Sequence, residues 1–246
     1  MQVLAENDRL RYGRQMLIPG WGDEGQGRLK HSQVFIAGAG GLGGPVAIYL
    51  AVAGVGQIHV CDADQVELSN LNRQILHPDS RLGESKARSA AQTLSDLNPT
   101  IEIVTTSDYL GKENVAQIVG QPDIVVDCLD NYETRYLLNG YCIAQEIPFV
   151  HGAIEGLLGQ ITFLKPPATP CLQCIFPVAP PRRIFPVVGA TPGVIGSLQA
   201  MEVLKHITGV GANLLGTLLI VDGEDMGFSP IQVKRRPDCT ACSHLH

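Results

Sequence analysis

Val34-Phe35-Ile36-Ala37 is a short apolar run that gives way at once to Gly38-Ala39-Gly40-Gly41-Leu42-Gly43. Unbroken apolar residues of this length read as a strand buried on both faces, and the glycines end it. An apolar pattern with helical character resumes at Pro45, and Gly54 and Gly56 stop it. Ile58-His59-Val60-Cys61 predicts a second strand, closed by Asp62. The rhythm then repeats. Ser85 to Leu97 is Ala-rich and helical, Ile101 to Val104 a third strand, Val115 to Val119 a short helix and Ile124 to Asp127 a fourth strand. Thr134 to Gln145 reads as the next helix and Phe149-Val150 as the strand after it.

Strands alternating with helices predict an α/β fold, a Rossmann-like, doubly wound, mainly parallel sheet. After Gly152 the character changes. Gly159 to Leu164, Leu218 to Val221 and Ile231 to Val233 read as strands separated by turns, an antiparallel C-terminal extension of the sheet. Val194 to Thr208 is a helix with Lys205 and His206 in its last turn and Gly209 just beyond. Residues 7–31 read as polar helical cover with a glycine-rich link through Trp21. No composition break or repeat divides the chain, so 1–246 is read as a single domain.

Composition narrows the function classes. With 45% apolar and 17% charged residues the chain is not disordered. A net charge of −6 argues against a general nucleic-acid or membrane-surface binder, while leaving room for a local basic pocket that takes a phosphate. From His31 to Cys61 no Asp, Glu, Lys or Arg occurs, a length that would span a bilayer, but seven glycines and Pro45 break it into strand, turn and helix. The opening Met1 to Arg9 has early acids and no apolar core, so it does not read as a signal peptide, and the cytoplasm is the expected compartment.

The glycine turn follows a strand and precedes a helix. Gly38, Gly40, Gly41 and Gly43 would let the backbone approach a phosphate, and the helix N-terminus supplies free N–H groups and partial positive charge. Asp62, 24 residues after Gly38, is placed to accept hydrogen bonds from a ribose. Tight strand–helix packing would also account for these glycines, and the turn alone leaves a nicotinamide or flavin cofactor open.

The polar run that follows is more telling. It holds Asp64, Ser69, Asn70, Arg73 and Gln74, with Lys86 on the next helix. A dinucleotide dehydrogenase has no use for this set, whereas a triphosphate site does: Arg forks onto phosphate oxygens and Lys adds a compact charge. Asp130, followed by Asn131, lies just past the strand ending at Asp127, where a carboxylate can hold Mg²⁺.

At this point the chain resembles the MoeB/ThiF/HesA family, bacterial relatives of ubiquitin-activating enzymes. The matching stretches are Arg11 to Gln15, Gly38 to Gly43, Asp62 with Asp64, Ser69 to Gln74, Lys86, Asp130-Asn131 with Arg135 and Asn139, and Gly193 to Ala200. They run in order over about residues 7–242. The resemblance implies an ATP–Mg²⁺-dependent adenylyltransferase. Its substrate would be the C-terminal glycine carboxylate of a ubiquitin-fold sulfur-carrier protein, MoaD/ThiS-like and ending in Gly-Gly. It implies an ATP site lined by Gly41, Asp62, Ser69, Asn70, Arg73, Lys86 and Asp130, with Asp62 on the ribose, Arg73 and Lys86 at the α-phosphate and Asp130 on the metal. It also implies a homodimer, in which Arg14 reaches the site of the other subunit.

Cys171-x-x-Cys174 and Cys239-x-x-Cys242 offer four thiolates, enough to close a tetrahedral Zn²⁺ site. The 64 residues between the pairs mean that such a site ties two distant parts of the fold together, a structural role. Many family members carry a further cysteine after the first pair, which forms a thioester or persulfide with the carrier. Here Ile175 to Pro192 has none, and Pro180-Pro181-Arg182-Arg183 lies in its place. Cys61, Cys128 and Cys142 read as core residues, so the expected enzyme stops at adenylation and a separate sulfurtransferase or persulfide donor delivers sulfur. Two other readings stand beside this one: a nicotinamide or flavin oxidoreductase, and a non-catalytic, zinc-stabilised scaffold for a ubiquitin-fold partner. Lys234-Arg235-Arg236 reads as a solvated strand end, His151 as a satisfied structural histidine, and His244 and His246 as part of a loose tail.

Overall fold

The structure, a computed structural model, describes residues 4–181 and 183–245. Met1, Gln2, Val3, Arg182 and His246, which enter the readings above, lie outside the described residues. The chain runs α1 (Glu6–Met16), α2 (Gly22–His31), β1 (Gln33–Ala37), α3 (Gly43–Ala53), β2 (Gln57–Cys61), α4 (Lys86–Leu97), β3 (Glu102–Thr106), α5 (Val115–Val119), β4 (Ile124–Asp127), α6 (Tyr132–Ala144) and β5 (Phe149–Glu155). It continues through β6 (Leu158–Leu164), α7 (Leu172–Ile175), α8 (Ala190–Thr208), β7 (Thr217–Asp222) and β8 (Gly227–Gln232).

One sheet takes all eight strands, in the order β3-β2-β1-β4-β5-β6-β7-β8. The first five named are parallel and the rest antiparallel, as the pattern of the sequence predicts. The reversal at β6 has a local cause. Only Gly156 and Leu157 separate β5 from β6, with Gly156 at φ +61°, and so short a link can only fold back on itself.

Side-chain alternation along β1 covers the sheet on both faces. Val34 and Ile36 join a core with Val46 and Leu50 of α3 and Ile195 and Val203 of α8. Phe35 and Ala37 join a second core with Val119 of α5 and Leu138 of α6. Each large side chain buried this way contributes about 1.5–3 kcal/mol.

Boundaries shift where tertiary contacts decide them. The predicted 7–31 cover splits into α1 and α2. The helix expected from Pro45 begins at Gly43, and the one expected from Val194 begins at Ala190, taking Pro192 into its first turn, where a missing N–H costs nothing. β5 extends past Val150 to Glu155 because β6 pairs along its whole length. The expected Ile231–Val233 strand is instead β8, Gly227–Gln232, and the short α7 had no sequence signal.

The strand order reverses direction at β1 and β4. Open α/β sheets leave a crevice beyond the C-terminal ends of two such strands. Gly38 leaves β1 there and Cys128 leaves β4, with the Cys128 N–H donating to the Ala37 carbonyl at 2.9 Å.

Candidate active site

Gly38 and Gly43 are demanded by the chain itself. Gly38 has φ +99°, and a Cβ on it would lie 2.7 Å from the Cys128 carbonyl oxygen; a Cβ on Gly43 would lie 1.9 Å from the Gly38 oxygen. Gly40 and Gly41 differ. A Cβ on Gly40 would meet only the Gln74 side chain at 3.5 Å, and one on Gly41 the Pro192 ring at 3.3 Å and the Arg73 side chain at 3.5 Å. Gly40 and Gly41 are therefore flanked by side chains and not by backbone, and both stay partly exposed, the surface a ligand would use.

Three segments meet at this turn. The loop from Ser69 to Gln74 opens with a 3₁₀ turn, Leu68–Asn70, and lays Arg73 and Gln74 against the glycines. Arg73 Nη1 donates to the Ser69 carbonyl at 3.0 Å and to Asn72 Oδ1 at 2.9 Å, which holds the half-buried side chain in place. Asn70 and Gln74 are buried, and neither Asn70 Oδ1 nor Gln74 Oε1 accepts a hydrogen bond within the protein. Two enclosed amide oxygens without donors in the Ser69–Gln74 loop mark places where a buried water completes the polar set. The first turn of α8 closes the third side through Pro192.

Asp62, at the end of β2, braces the turn. Its Oδ2 accepts from the Ala39 N–H at 2.7 Å and its Oδ1 from the Asp64 N–H at 2.9 Å. Burial nevertheless pushes the Asp62 carboxyl above its ordinary range, with Lys86 and the two N–H groups pulling the other way. Lys86, buried at the start of α4, reaches Asp64 Oδ2 at 2.9 Å. Asp130 is exposed on the loop leaving β4. Asn131 follows it, and its Oδ1 caps α6 by accepting from the Thr134 N–H at 2.9 Å.

Beneath that loop lies a buried charge network. Asp127 Oδ2 accepts from His151 Nδ1 at 2.7 Å and lies 3.3 Å from Arg135 Nε, all three groups being almost wholly enclosed. Asp127 Oδ1 accepts from the Leu129 N–H at 3.0 Å, and Arg135 Nη2 donates to the carbonyls of Leu129 and Gly152. The backbone just before Asp130 is therefore gripped at both its N–H and its C=O. Gln199 of α8 donates to the Asp127 carbonyl at 2.8 Å, an approach that the bare Gly152 permits. Burial alone would raise the Asp127 carboxyl; Arg135 and His151 more than offset this and hold it below the usual range. Burial, with Arg135 alongside, lowers the basicity of His151 despite its bond to Asp127. The sequence points to parts of this network: Arg135 and the Gly193–Ala200 stretch match the family, His151 reads as a satisfied structural histidine, and an Asp inside an apolar strand needs buried partners.

The pattern of the ThiF family matches residues 12–241. The chain belongs to the ThiF family. Among its relatives, the adenylyltransferase and sulfurtransferase MOCS3 of Drosophila sechellia is 44% identical over 98% of this chain and 54% of its own length. The chain thus spans about half the length of the MOCS3 proteins that it matches. The SAMP-activating enzyme E1 of Haloferax volcanii is 44% identical over 94% of this chain and 88% of its own. Escherichia coli MccB shares the fold, with a TM-score of 0.86 at 24% identity over 97% of this chain and 74% of that one.

Two further parts of this ThiF chain bear on the site. Arg14 is exposed on α1, which sits at the far end of α3. Its neighbour Gln15 donates to the Ala53 carbonyl at 2.8 Å, and Tyr12 packs on Gly54. Arg14 is therefore not brought to the glycine turn of its own chain. The cysteines are brought together. Cys171 and Cys174 stand at α7 and Cys239 and Cys242 near the C-terminus, all buried, with their sulfurs within 4.8 Å of one another.

Neighbouring Sγ–Sγ distances among these cysteines are 3.4, 3.6 and 3.9 Å, close to the ~3.8 Å edge of a tetrahedral zinc–thiolate site. Asn139 supports one half by accepting from the Leu172 N–H, and Arg235 the other by donating to the Thr169 carbonyl. The basic run at 234–236 is thus partly structural: Arg235 is a clamp, and Arg236 pairs with Asp238 at 2.9 Å. Burial pushes the remaining thiols up, Cys61 to about 12, and Cys128 and Cys142 likewise well above the ordinary range. No described helix is long and apolar enough to cross a membrane.

Proposed function

We propose that this chain is an ATP-dependent adenylyltransferase that activates the C-terminal glycine carboxylate of a ubiquitin-fold sulfur carrier of the MoaD/ThiS type. The observation that supports this reading is the partly exposed glycine turn at Gly40 and Gly41 with Arg73 packed beside it, and Lys86 paired with Asp64 next to Asp62, the residue that braces the same turn. A carboxylate oxygen of the carrier attacks the α-phosphorus, the bond to the bridging oxygen breaks, and pyrophosphate leaves. Arg73 and Lys86 stabilise the charge that builds on the α-phosphate, and Asp62 holds the ribose. Ser69, Asn70 and Gln74 orient the nucleotide. Asp130 is an exposed carboxylate suited to Mg²⁺, which keeps most of its waters and neutralises phosphate charge when bound.

Residues 1–246 act as one ThiF-type domain working in the cytoplasm. Arg14 lies away from its own site, which fits the role that the family resemblance implies for it, serving the site of a second copy in a homodimer. The four cysteines hold a structural Zn²⁺, with no open position for catalysis. No cysteine lies between Ile175 and Pro192, and the other thiols are buried and hard to ionise, so a separate sulfurtransferase or persulfide donor completes sulfur transfer. A nicotinamide or flavin enzyme would have no use for Arg73 and Lys86 here. The deciding experiment is ATP–pyrophosphate exchange with candidate carriers. Exchange should appear with one carrier and vanish in Asp130→Ala. No exchange with any carrier, in a protein that binds the carrier, would favour the scaffold reading; exchange surviving in Asp130→Ala would place the metal elsewhere.

A further inference from the structure

We infer that His77 is a positioning residue for nucleotide binding: it sets the tilt of the Ala39–Gly40 peptide and so aims the Gly40 N–H into the crevice. This rests on the reading of the crevice as an ATP site. His77 lies outside the set of residues placed against the nucleotide above. It is 4% exposed and sits behind the glycine turn. Its Nε2 is 2.9 Å from the Ala39 carbonyl oxygen, and its Nδ1 is 3.0 Å from Ser89 Oγ. A carbonyl only accepts, so Nε2 carries the proton, and the Ser89 hydroxyl donates to the bare Nδ1. Arg81 anchors the far end of this chain by donating to the Ser89 carbonyl and to Thr93 Oγ1, both at 2.7 Å. Burial keeps the imidazole weakly basic, which suits a ring holding one proton.

Peptide geometry supplies the next step. The Ala39–Gly40 bond is trans, so its C=O and N–H point in opposite directions. Tying the Ala39 oxygen to His77, behind the turn, turns the Gly40 N–H to the front. The preceding peptide is fixed independently, because the Ala39 N–H is held by Asp62 at 2.7 Å. Among the described residues the N–H groups of Gly40 and Gly41 donate to nothing, whereas the Gly40 carbonyl already accepts from the Gly44 N–H at 3.0 Å. They are the first orphan donors ahead of α3, where an anion is favoured. Without His77 the peptide can rotate, and one donor to a phosphate oxygen loses its aim. Asp62 and His77 thus act as two pins on successive peptides, one on each side of Ala39.

The test compares His77→Leu, which has no donor, with His77→Gln, whose Nε2 amide reaches nearly the same point. Mg–ATP affinity is measured by calorimetry on the zinc-loaded protein, and the KM of the carrier in pyrophosphate exchange is measured alongside. A hydrogen bond to a charged group sets the expected scale. His77→Leu should bind Mg–ATP roughly ten- to a hundredfold more weakly, His77→Gln should stay within about threefold of wild type, and the KM for the carrier should hold in both. Equal losses in the two variants, or no loss in His77→Leu, would overturn the inference. Two wild-type measurements need no variant that folds. Nitrogen-15 spectra should show the His77 proton on Nε2, and the Gly40 amide resonance should move when Mg–ATP is added. A proton on Nδ1, or an unmoved Gly40 amide, overturns the inference. A wild type that binds no Mg–ATP overturns the adenylyltransferase reading along with it.

Discussion

Arg135→Met removes a cation from a place where nothing else can replace it. The guanidinium lies 3.3 Å from the fully enclosed Asp127 carboxylate and bonds the carbonyls of Leu129 and Gly152. Methionine fills much of the volume but leaves that carboxylate with His151 and one N–H only. Breaking a buried ion pair from one side costs about 3–5 kcal/mol. A chain of this size loses about 2–4 °C in Tm for each kcal/mol, so the melt should fall by about 6–20 °C. The second variant, Asp127→Asn with Arg135→Met, no longer buries a lone charge and should recover at least ~1 kcal/mol relative to the sum of the single changes.

The pH profile carries an independent sign. In the wild type His151 stays neutral when folded, so its contribution is full above the unfolded imidazole value of about 6.5. That contribution is lost as the pH falls below this value towards the lower folded one, at about 1.4 kcal/mol per pH unit. Asp127 behaves likewise further down: its contribution is present above an unfolded value of about 3.9 and is lost as the pH falls through its lower folded value. In Arg135→Met, His151 should take up a proton beside Asp127, and the loss of stability between pH 6.5 and 5 should flatten. Urea melts at fixed zinc across that range read both effects. An Arg135→Met protein within about 1 kcal/mol of wild type, with an unchanged acid limb, would refute the account of this network.

Three further outcomes are expected. Elemental analysis of the wild type should find one zinc per chain, and Cys174→Ser should release it and lower the melting temperature; a metal-free wild type that melts unchanged would contradict this. Changing Cys61, Cys128 and Cys142 to Ala or Ser should leave adenylate formation largely intact. A thiol-sensitive adduct with the carrier on non-reducing gels, abolished by one of these changes, would show a covalent relay instead. Gly43→Ala forces a Cβ to 1.9 Å from the Gly38 oxygen and should cost about 1–3 kcal/mol of stability, whereas Gly41→Ala meets only side chains and should weaken ATP binding at nearly unchanged stability. Equal melting losses in the two variants would remove that distinction.

The sequence by itself determined the layered fold, a mainly parallel sheet with an antiparallel C-terminal extension. Runs such as Val34–Ala37 and Ile124–Val126 are apolar on both faces, and only a sheet covered on both sides accommodates them. It also singled out the glycine turn, the Ser69–Gln74 loop, Lys86, Asp130 and the two cysteine pairs, because phosphate and metal chemistry ask for particular residue types at short spacings.

Tertiary structure alone decided what depends on contacts between distant segments. Nothing local in the chain distinguishes Gly43, required by the Gly38 oxygen, from Gly41, which faces only side chains. His77, Arg135, His151 and Gln199 are scattered over more than a hundred residues, and each becomes a brace only when folding brings it against Ala39 or Asp127. The same holds for the cysteine pairs. Their spacing suggests a metal, but only the packing of the C-terminal segment against α7 brings four sulfurs within 4.8 Å. Local patterns record what each segment prefers; the free energy of a buried polar group depends on the partner across the fold, which no short window contains.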